Sequence, residues 1–173
     1  NNRRIRQAKY AKSLFENPVE VDIVPIKHIN TDYAEYRPKL NAEENIMYFT
    51  SKRPGGSSDI LDDQGEYYED IYVSKKKMGV WTEPQLVNDL INTTESSSCL
   101  YLSPDGEHMF LSMVNNDQKL GHLGRGIYEA RLDGNHWNNP EFLDQKVNSK
   151  YWETYASLDL SLIHISEPTR QDS

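Results

Sequence analysis

The chain has 173 residues, a formal net charge of −8 at pH 7 and a single cysteine, Cys99. This acidic balance lacks the basic character expected of a nucleic-acid-binding domain, and no stretch approaches the ~20 apolar residues of a membrane span. One cysteine excludes an internal disulfide framework. Eleven tyrosines favour β-strands with half-buried faces.

Residues 1–18 are predicted to be the end of a helical region. Apolar residues recur there at three- and four-residue steps, which is typical of a helix from Arg3 to Glu16. These residues are Ile5, Ala8, Ala11 and Phe15. Pro18 ends the helix, because the residue before a proline is driven out of the helical region. The helix is either isolated on the surface or the last one of a helical-repeat domain upstream. Since the chain begins without methionine or a signal peptide, we expect it to be an internal piece of a longer protein.

The pattern changes to β-structure after Pro18. Val19, Val21 and Ile23 alternate with acidic residues, which is typical of a strand, until Pro25 interrupts the alternation. We therefore expect a β-linker that leads into the first of several repeats.

Residues 102–112 are predicted to form a β-hairpin, since a turn sequence separates two apolar runs. The turn residues are Ser103, Pro104, Asp105 and Gly106. Proline presets φ for the first central position, aspartate suits the second, and glycine tolerates the positive φ at the exit. This role explains each residue, so the serine and aspartate are not interpreted as a nucleophile and an acid. The matching stretch at residues 40–50 lacks the Pro-Asp-Gly sequence, and Asn45 is expected to supply its left-handed residue.

The hairpin belongs to a long internal repeat. Asn30, Asn92 and Asn148 end matching tripeptides at spacings of 62 and 56 positions. Four further pairs recur at 56 positions, namely Ile71 with Ile127, Tyr72 with Tyr128, Trp81 with Trp137 and Pro84 with Pro140. One insertion inside residues 52–69 explains the difference of six positions between the two spacings.

Each repeat is predicted to contain four antiparallel strands. In the first repeat these are Tyr36–Leu40, Ile46–Ser51, Asp70–Lys75 and Trp81–Val87. In the second they are Ser98–Leu102, Met109–Met113, Ile127–Leu132 and His136–Leu143. Four strands in a period of about 50 residues are typical of a β-propeller blade, and a repeating β-sandwich is the alternative. The predicted fold class is all-β: after the short α-helical segment, a partial β-propeller has a linker and first blade at 19–89, a second blade at 90–145 and the start of a third at 146–159.

Several stretches of the repeat resemble a known family. They are Tyr48–Gly56, Glu69–Ser74, Gly79–Pro84, Ile91–Thr93, Ser103–Gly106 and Val147–Ser149. Together they resemble the WD40-like repeat of TolB-type propellers, in particular those of Bacteroidetes outer-membrane proteins of the OmpA family, such as the PorE-like proteins associated with type IX secretion and gliding. The resemblance implies a tetratricopeptide region before the propeller and a peptidoglycan-binding domain that is absent from this sequence. The second repeat departs from the pattern, because Arg125 and Gly126 stand where the first has Glu69 and Asp70.

Residues 160–173 do not continue the repeat. A turn of the Ser-Pro-Asp-Gly kind is expected after Leu158, but the chain reads Leu-Ser-Leu-Ile-His-Ile-Ser-Glu-Pro-Thr-Arg from Leu160 to Arg170. This stretch resembles a translated sequencing adapter, so we expect it to be non-native. A natural divergent tail is the alternative.

No catalytic, cofactor-binding or metal-binding residue is predicted. The sequence has no Gly-x-Ser-x-Gly elbow and no phosphate-binding loop, and its five histidines lack metal-ligand spacing. Acidic residues of the inserted loop lack the spacing of an EF-hand, so a solvated loop is favoured over a calcium site. They are Asp59, Asp62, Asp63, Glu66, Glu69 and Asp70. Trp81 and Trp137 are interpreted as packing between blades rather than stacking on sugars, because they occupy the same repeat position.

Three functions compete. The first is a non-catalytic interaction scaffold in the periplasm, associated with the outer membrane, with protein partners at the loops 53–68 and 115–125. The second is the substrate-gating propeller of a prolyl-oligopeptidase-like serine hydrolase, which predicts a Gly-x-Ser-x-Gly domain downstream. The third is a glycan- or peptide-binding propeller, which predicts exposed aromatic residues on the axial face. The fold alone does not choose among them, and the helix before the propeller favours the first.

Overall fold

The computed structural model describes residues 2–115, 124–159 and 162–165, and this part of the chain is mostly β-structure. Its elements are α1 (Asn2–Glu16), β1 (Glu35–Leu40), β2 (Ile46–Ser51), β3 (Asp70–Lys77), β4 (Val80–Trp81), β5 (Gln85–Leu86), β6 (Ser97–Leu102), β7 (His108–Asn115), β8 (Gly124–Asp133), β9 (His136–Trp137), β10 (Glu141–Phe142), β11 (Leu158–Asp159) and β12 (Leu162–Ile165). The prediction of an all-β chain preceded by one helical segment is confirmed.

Helix α1 ends where the sequence predicts, but the segment after it is not a strand. The backbone N–H of Asn17 donates to the carbonyl of Ser13 at 2.9 Å and closes the last turn. Residues 19–24 form no strand, and Val21 and Ile23 are 68% and 91% exposed. The expectation of β-structure from Val19 to Ile23 is therefore wrong. Alternation produces a strand only where a neighbouring strand takes up its backbone hydrogen bonds.

Strands β1 to β10 form two antiparallel sheets with the same order, and β11 and β12 form a separate two-stranded sheet. Sheet one runs β1-β2-β3, and the short strands β4 and β5 both pair with β3. Sheet two runs β6-β7-β8, and β9 and β10 both pair with β8. The predicted continuous fourth strands, Trp81–Val87 and His136–Leu143, are wrong, because each is two short strands. Pro84 and Pro140 stand at these breaks, where a proline has no N–H to give to a sheet.

The two sheets stack in the same orientation, so that opposite faces of the two sheets meet. Successive strand residues point to opposite faces, so Met47 and Phe49 lie on what we call the front of sheet one and Tyr48 on its back. Met109 and Leu111 lie on the front of sheet two. The back of sheet one packs on the front of sheet two in the largest hydrophobic cluster of the described residues. Its members are Tyr48, Ile71, Val87, Ile91, Cys99, Leu102, Met109, Leu111, Met113, Ala130 and Trp137.

The hairpin turns of the two repeats have the same backbone form. In the second repeat, the N–H of Gly106 donates to the carbonyl of Ser103 at 2.9 Å and Gly106 has a φ of 79°. In the first, the N–H of Glu44 donates to the carbonyl of Asn41 at 3.0 Å and Glu44 has a φ of 52°. The prediction that Asn45 is the left-handed residue is therefore wrong. The strand pairing places Glu44 there, 62 positions before Gly106.

Replacing Gly106 by alanine is expected to lower the free energy of unfolding by about 1–2 kcal/mol, the cost of left-handed backbone at a residue with a side chain. The added methyl group meets the Cβ of Asn41 at 3.6 Å, an ordinary contact, so backbone strain dominates the loss. Glu44→Gly is the matched control, because it relieves strain at the equivalent position. Urea denaturation measures both variants, and equal losses in the two would contradict this account.

Candidate functional site

One buried asparagine holds the third strand of each sheet. Asn92 Oδ1 accepts the N–H of Ile71 at 2.7 Å, and its amide donates to the carbonyls of Ile71 and Val87 at 2.8 and 3.1 Å. In sheet two, Asn148 accepts the N–H of Ile127 at 2.7 Å and donates to its carbonyl at 2.9 Å. Both asparagines are buried. The repeated asparagine is therefore a clamp that joins the third strand to the chain segment at the end of its repeat.

Asn30 ends an equivalent turn but has a different side-chain partner. The N–H groups of Ile29 and Asn30 both donate to the carbonyl of Ile26 at 2.9 Å, and the turn at 88–92 has the same pattern at 3.0 Å. Asn30 is exposed, and its Oδ1 accepts the N–H of Ile26 at 2.7 Å. Ile29 packs with Met47 on the front of sheet one. The turn at 26–30 thus covers part of that front face.

Asn92→Ala is expected to lower the free energy of unfolding by about 2 kcal/mol or more, because it leaves the buried N–H of Ile71 and the carbonyl of Val87 without partners. The carbonyl of Ile71 keeps the N–H of Val87 as a donor. Asn30→Ala is the matched control, since this exposed side chain accepts a single backbone bond, and a loss of about 1 kcal/mol or less is expected. Chemical denaturation compares the two. Similar losses would show that the clamp does not depend on its buried bonds.

In each Ile-Tyr pair of the repeat, the isoleucine and the tyrosine lie on opposite faces of the third strand. Ile71 and Ile127 are buried on the backs of their sheets. Tyr72 lies on the front of sheet one, where its ring stacks on Phe49 with centroids 6.0 Å apart. Burial raises the pKa of Tyr72 to about 12. Tyr128 packs against the cluster between the sheets. These residues contribute packing to the repeat.

The two equivalent tryptophans differ in what covers them. Trp137 lies between the sheets and is 4% exposed. Its indole N–H donates to the hydroxyl of Tyr48 at 3.2 Å, and the two rings meet edge-on with centroids 5.6 Å apart. Trp81 lies on the front of sheet one, half-buried, with the ammonium of Lys76 5.4 Å from its ring centroid. It lines a groove of about 350 Å³.

Trp137→Ala is expected to lower the free energy of unfolding by about 3–5 kcal/mol, because the enclosed ring is replaced by a cavity. Trp81→Ala removes the equivalent side chain from a partly solvated groove, so a loss of about 1–2 kcal/mol is expected. Urea denaturation of both variants measures the difference. A larger loss for Trp81→Ala would contradict the assignment of Trp137 to the main contact between the sheets.

Acidic side chains of the inserted loop bind the loop's own backbone. Asp62 Oδ1 accepts the N–H groups of Glu66 and Gln64 at 2.9 and 2.8 Å, and these bonds lower the pKa of Asp62. Asp70 is buried, which raises its pKa, and accepts the N–H and the hydroxyl of Ser57 at 2.9 and 2.6 Å. Among the described residues, no group of three or more His, Cys, Asp or Glu side chains is placed to hold a metal ion.

Polar side chains of both sheets meet near the start of β1, in what we call the inner-end cluster: Tyr36, Arg37, Glu69, Ser98 and Arg125. Glu69 accepts a hydrogen bond from the Tyr36 hydroxyl and pairs with the guanidinium of Arg125. Burial and this carboxylate raise the pKa of Tyr36 far above its usual range. Arg37 donates to Ser98 Oγ at 2.8 Å, and Arg125 reaches the same oxygen at 3.5 Å. The two arginines thus share the Ser98 hydroxyl, and Arg125 alone pairs with the carboxylate of Glu69.

Arg37 extends the inner-end cluster toward exposed aromatic residues. It has a φ of 54° and lies where the pairing of β1 with β2 shifts register. Its guanidinium lies 5.1 Å from the ring centroid of Tyr155 and donates to the carbonyl of Thr154 at 3.2 Å. Tyr155 and Trp152 are 75% and 70% exposed. Arginine, tyrosine and tryptophan dominate binding hot spots, and strained backbone concentrates at functional positions. This end of the sheets is the candidate interaction surface.

Sequence reasoning did not identify the inner-end cluster. Glu69 and Arg125 did carry a signal, because opposite charges stand 56 positions apart at equivalent places of the repeat. Arg37 carried none, since its equivalents at 62 and 118 positions, Cys99 and Tyr155, are of other types. Of the two predicted partner loops, 53–68 is described, while residues 116–123 of the other lie outside the described residues.

Comparisons with protein-family models, curated proteins and solved structures gave no match. In the part of the chain that the structure describes, no helix has the length and apolar character needed to cross a membrane.

Proposed function

We propose that this chain is part of a β-propeller that acts as a non-catalytic interaction scaffold in the periplasm, associated with the outer membrane. The proposal follows the OmpA-family resemblance, with protein partners of the cell envelope and a place in type IX secretion. The observation that supports this proposal most directly is that two similar sheets stack with the back of one on the front of the other. A sheet that is apolar on both faces needs a neighbour on each, and one stacking step repeated around an axis builds a propeller.

Contacts at both ends of the sheets support this stacking. The N–H of Cys99 donates to Thr50 Oγ1 at 3.1 Å, and the N–H of Ala42 donates to the carbonyl of Pro104 at 2.7 Å. Each sheet of a β-sandwich buries one face and gives the other to solvent. Sheet one buries Phe49 on its front as well as its back residues, which favours the propeller over the sandwich.

The serine, aspartate and cysteine side chains that could serve catalysis are hydrogen-bonded within a turn or buried, which supports a non-catalytic scaffold. The hydroxyl of Ser103 donates to Asp105 and lowers the pKa of that carboxyl. The N–H of Glu107 donates to Asp105 at 3.0 Å, and that of His108 donates to Ser103 at 2.8 Å. Burial raises the pKa of Cys99 to about 12, so it stays a neutral thiol and a weak nucleophile.

A glycan- or peptide-binding propeller is the second candidate, and the exposed aromatic residues favour it. Tyr151, Trp152 and Tyr155, in the segment before β11, are all more than half exposed. Both candidates use the same surface, and they differ in the chemistry of what binds there.

A photo-reactive phenylalanine derivative in place of Tyr155 is expected to crosslink a discrete envelope protein when the source cells are irradiated, because this side chain lies on the candidate surface. The matched control is Met78, which is fully exposed at the opposite end of sheet one and is expected to give no such product. Electrophoresis and mass spectrometry identify the crosslinked species.

Equal crosslinking at both positions, or none at position 155, would contradict the assigned partner surface. A product that glycosidase treatment removes would favour the glycan-binding candidate. Labelling of this protein by a fluorophosphonate probe in the same cells would identify a serine hydrolase and overturn the non-catalytic proposal.

A further inference from the structure

Two equivalent glutamates stand at the same place of the first and third repeats. Glu35 and Glu153 are 118 positions apart, which equals the two repeat spacings together. Glu35 accepts the N–H and the hydroxyl of Thr31 at 3.0 and 2.6 Å. Glu153 accepts the N–H and the hydroxyl of Ser149 at the same two distances, 3.0 and 2.6 Å. Each carboxylate is therefore held by the residue four positions before it, Glu35 through both of its oxygens and Glu153 through Oε1 alone.

Glu35 has two further partners, the hydroxyl of Ser51, which donates at 3.1 Å, and a guanidinium. Nη2 of Arg53, two residues beyond β2, lies 3.3 Å from Glu35 Oε1 and donates to the carbonyl of Ile29 at 2.7 Å. The guanidinium also lies over the rings of Phe49 and Tyr72, 5.3 and 4.9 Å from their centroids. The side chains of Arg53 and Glu35 are 13% and 9% exposed, so this pair is largely removed from water.

Glu153 is buried at least as deeply as Glu35, but its carboxylate is incompletely hydrogen-bonded. It is 2% exposed, and its Oε2 has no hydrogen-bond partner among the described residues. A buried carboxylate oxygen without a donor is strongly unfavourable. The strand that begins at Leu158 starts the third repeat as β1 does the first, since Leu158 stands 118 positions after Leu40.

We infer that Glu153 is the receptor for an arginine carried by the strand that completes the third sheet. This inference rests on the repeat architecture proposed above. Val147 stands 118 positions after Ile29, at the same place of the preceding turn, so the arriving side chain meets a backbone carbonyl as well as the carboxylate. A guanidinium suits this pair of acceptors better than an ammonium group, because its planar fork presents five N–H donors and stacks on aromatic rings.

The first test compares Glu35→Gln with Glu153→Gln in the full chain by thermal unfolding. Glu35→Gln is expected to lower Tm by about 5 °C or more, because Arg53 loses its buried carboxylate. Glu153→Gln is expected not to lower Tm, because the amide keeps the oxygen that accepts from Ser149 and removes a buried charge. An equal fall in both variants would mean that Glu153 already has its partner, and would overturn the inference.

The second test supplies the arginine. Residues 159–173 are replaced by a second copy of residues 41–92, so that the copied strands follow Leu158 as the originals follow Leu40. Glu153→Gln and the copied Arg53→Gln are each expected to lower Tm, and the double substitution is expected to lower it no further than either alone. Glu35→Gln with the original Arg53→Gln is the reference pair in the same chain.

The outcomes separate this inference from the proposed function. A grafted chain that folds cooperatively, while the two substitutions act independently, overturns the arginine site and leaves the stacked architecture standing. A grafted chain that gains no β-structure by circular dichroism contradicts the propeller proposal itself. In that case the comparison of Glu35 with Glu153 in the full chain decides the arginine site.

Discussion

Packing of the back of one sheet on the front of the next is the interaction on which the described structure depends. Both faces of sheet one carry apolar side chains, so each face needs a neighbour to exclude water. The contact of Tyr48 with Trp137 makes the packing specific, because it combines a ring contact with one hydrogen bond buried between the sheets. Stability in such an arrangement comes from nearest neighbours, and a repeat by itself has no core of its own.

Polar side chains stabilise the backbone within each sheet. Buried N–H and carbonyl groups must be paired. Proline interrupts the backbone hydrogen bonds between strands where the fourth strand divides into two. Asn92 and Asn148 pair backbone groups at the end of each repeat with one amide, which has a donor and an acceptor. The hairpin turns follow the same logic with different residue types, since Asn41 and Ser103 each use a side-chain oxygen to accept backbone N–H groups across the turn.

The repeats diverge at the inner-end cluster, where the candidate surface lies. Arg37, Cys99 and Tyr155 occupy one repeat position, and Glu69 and Arg125 another. Other equivalent positions have the same residue type in both repeats, as the isoleucines and tryptophans do. A rigid scaffold with a variable end is the arrangement expected when packing is fixed and a surface is fitted to a partner.

The sequence by itself determined the helix, the repeat and most strands, because capping, turn chemistry and alternation act over a few residues. It also made Trp81 and Trp137 equivalent, but only the tertiary structure decided that the second is enclosed and the first lines a groove. Predictions from local patterns were wrong where the outcome depended on a neighbouring strand. The alternating residues 19–23 have no strand beside them and form none. The register of the strand pairing places the left-handed residue at Glu44 and not at Asn45. The inner-end cluster and the unpaired carboxylate depend on distances between residues far apart in the chain, which no local pattern encodes.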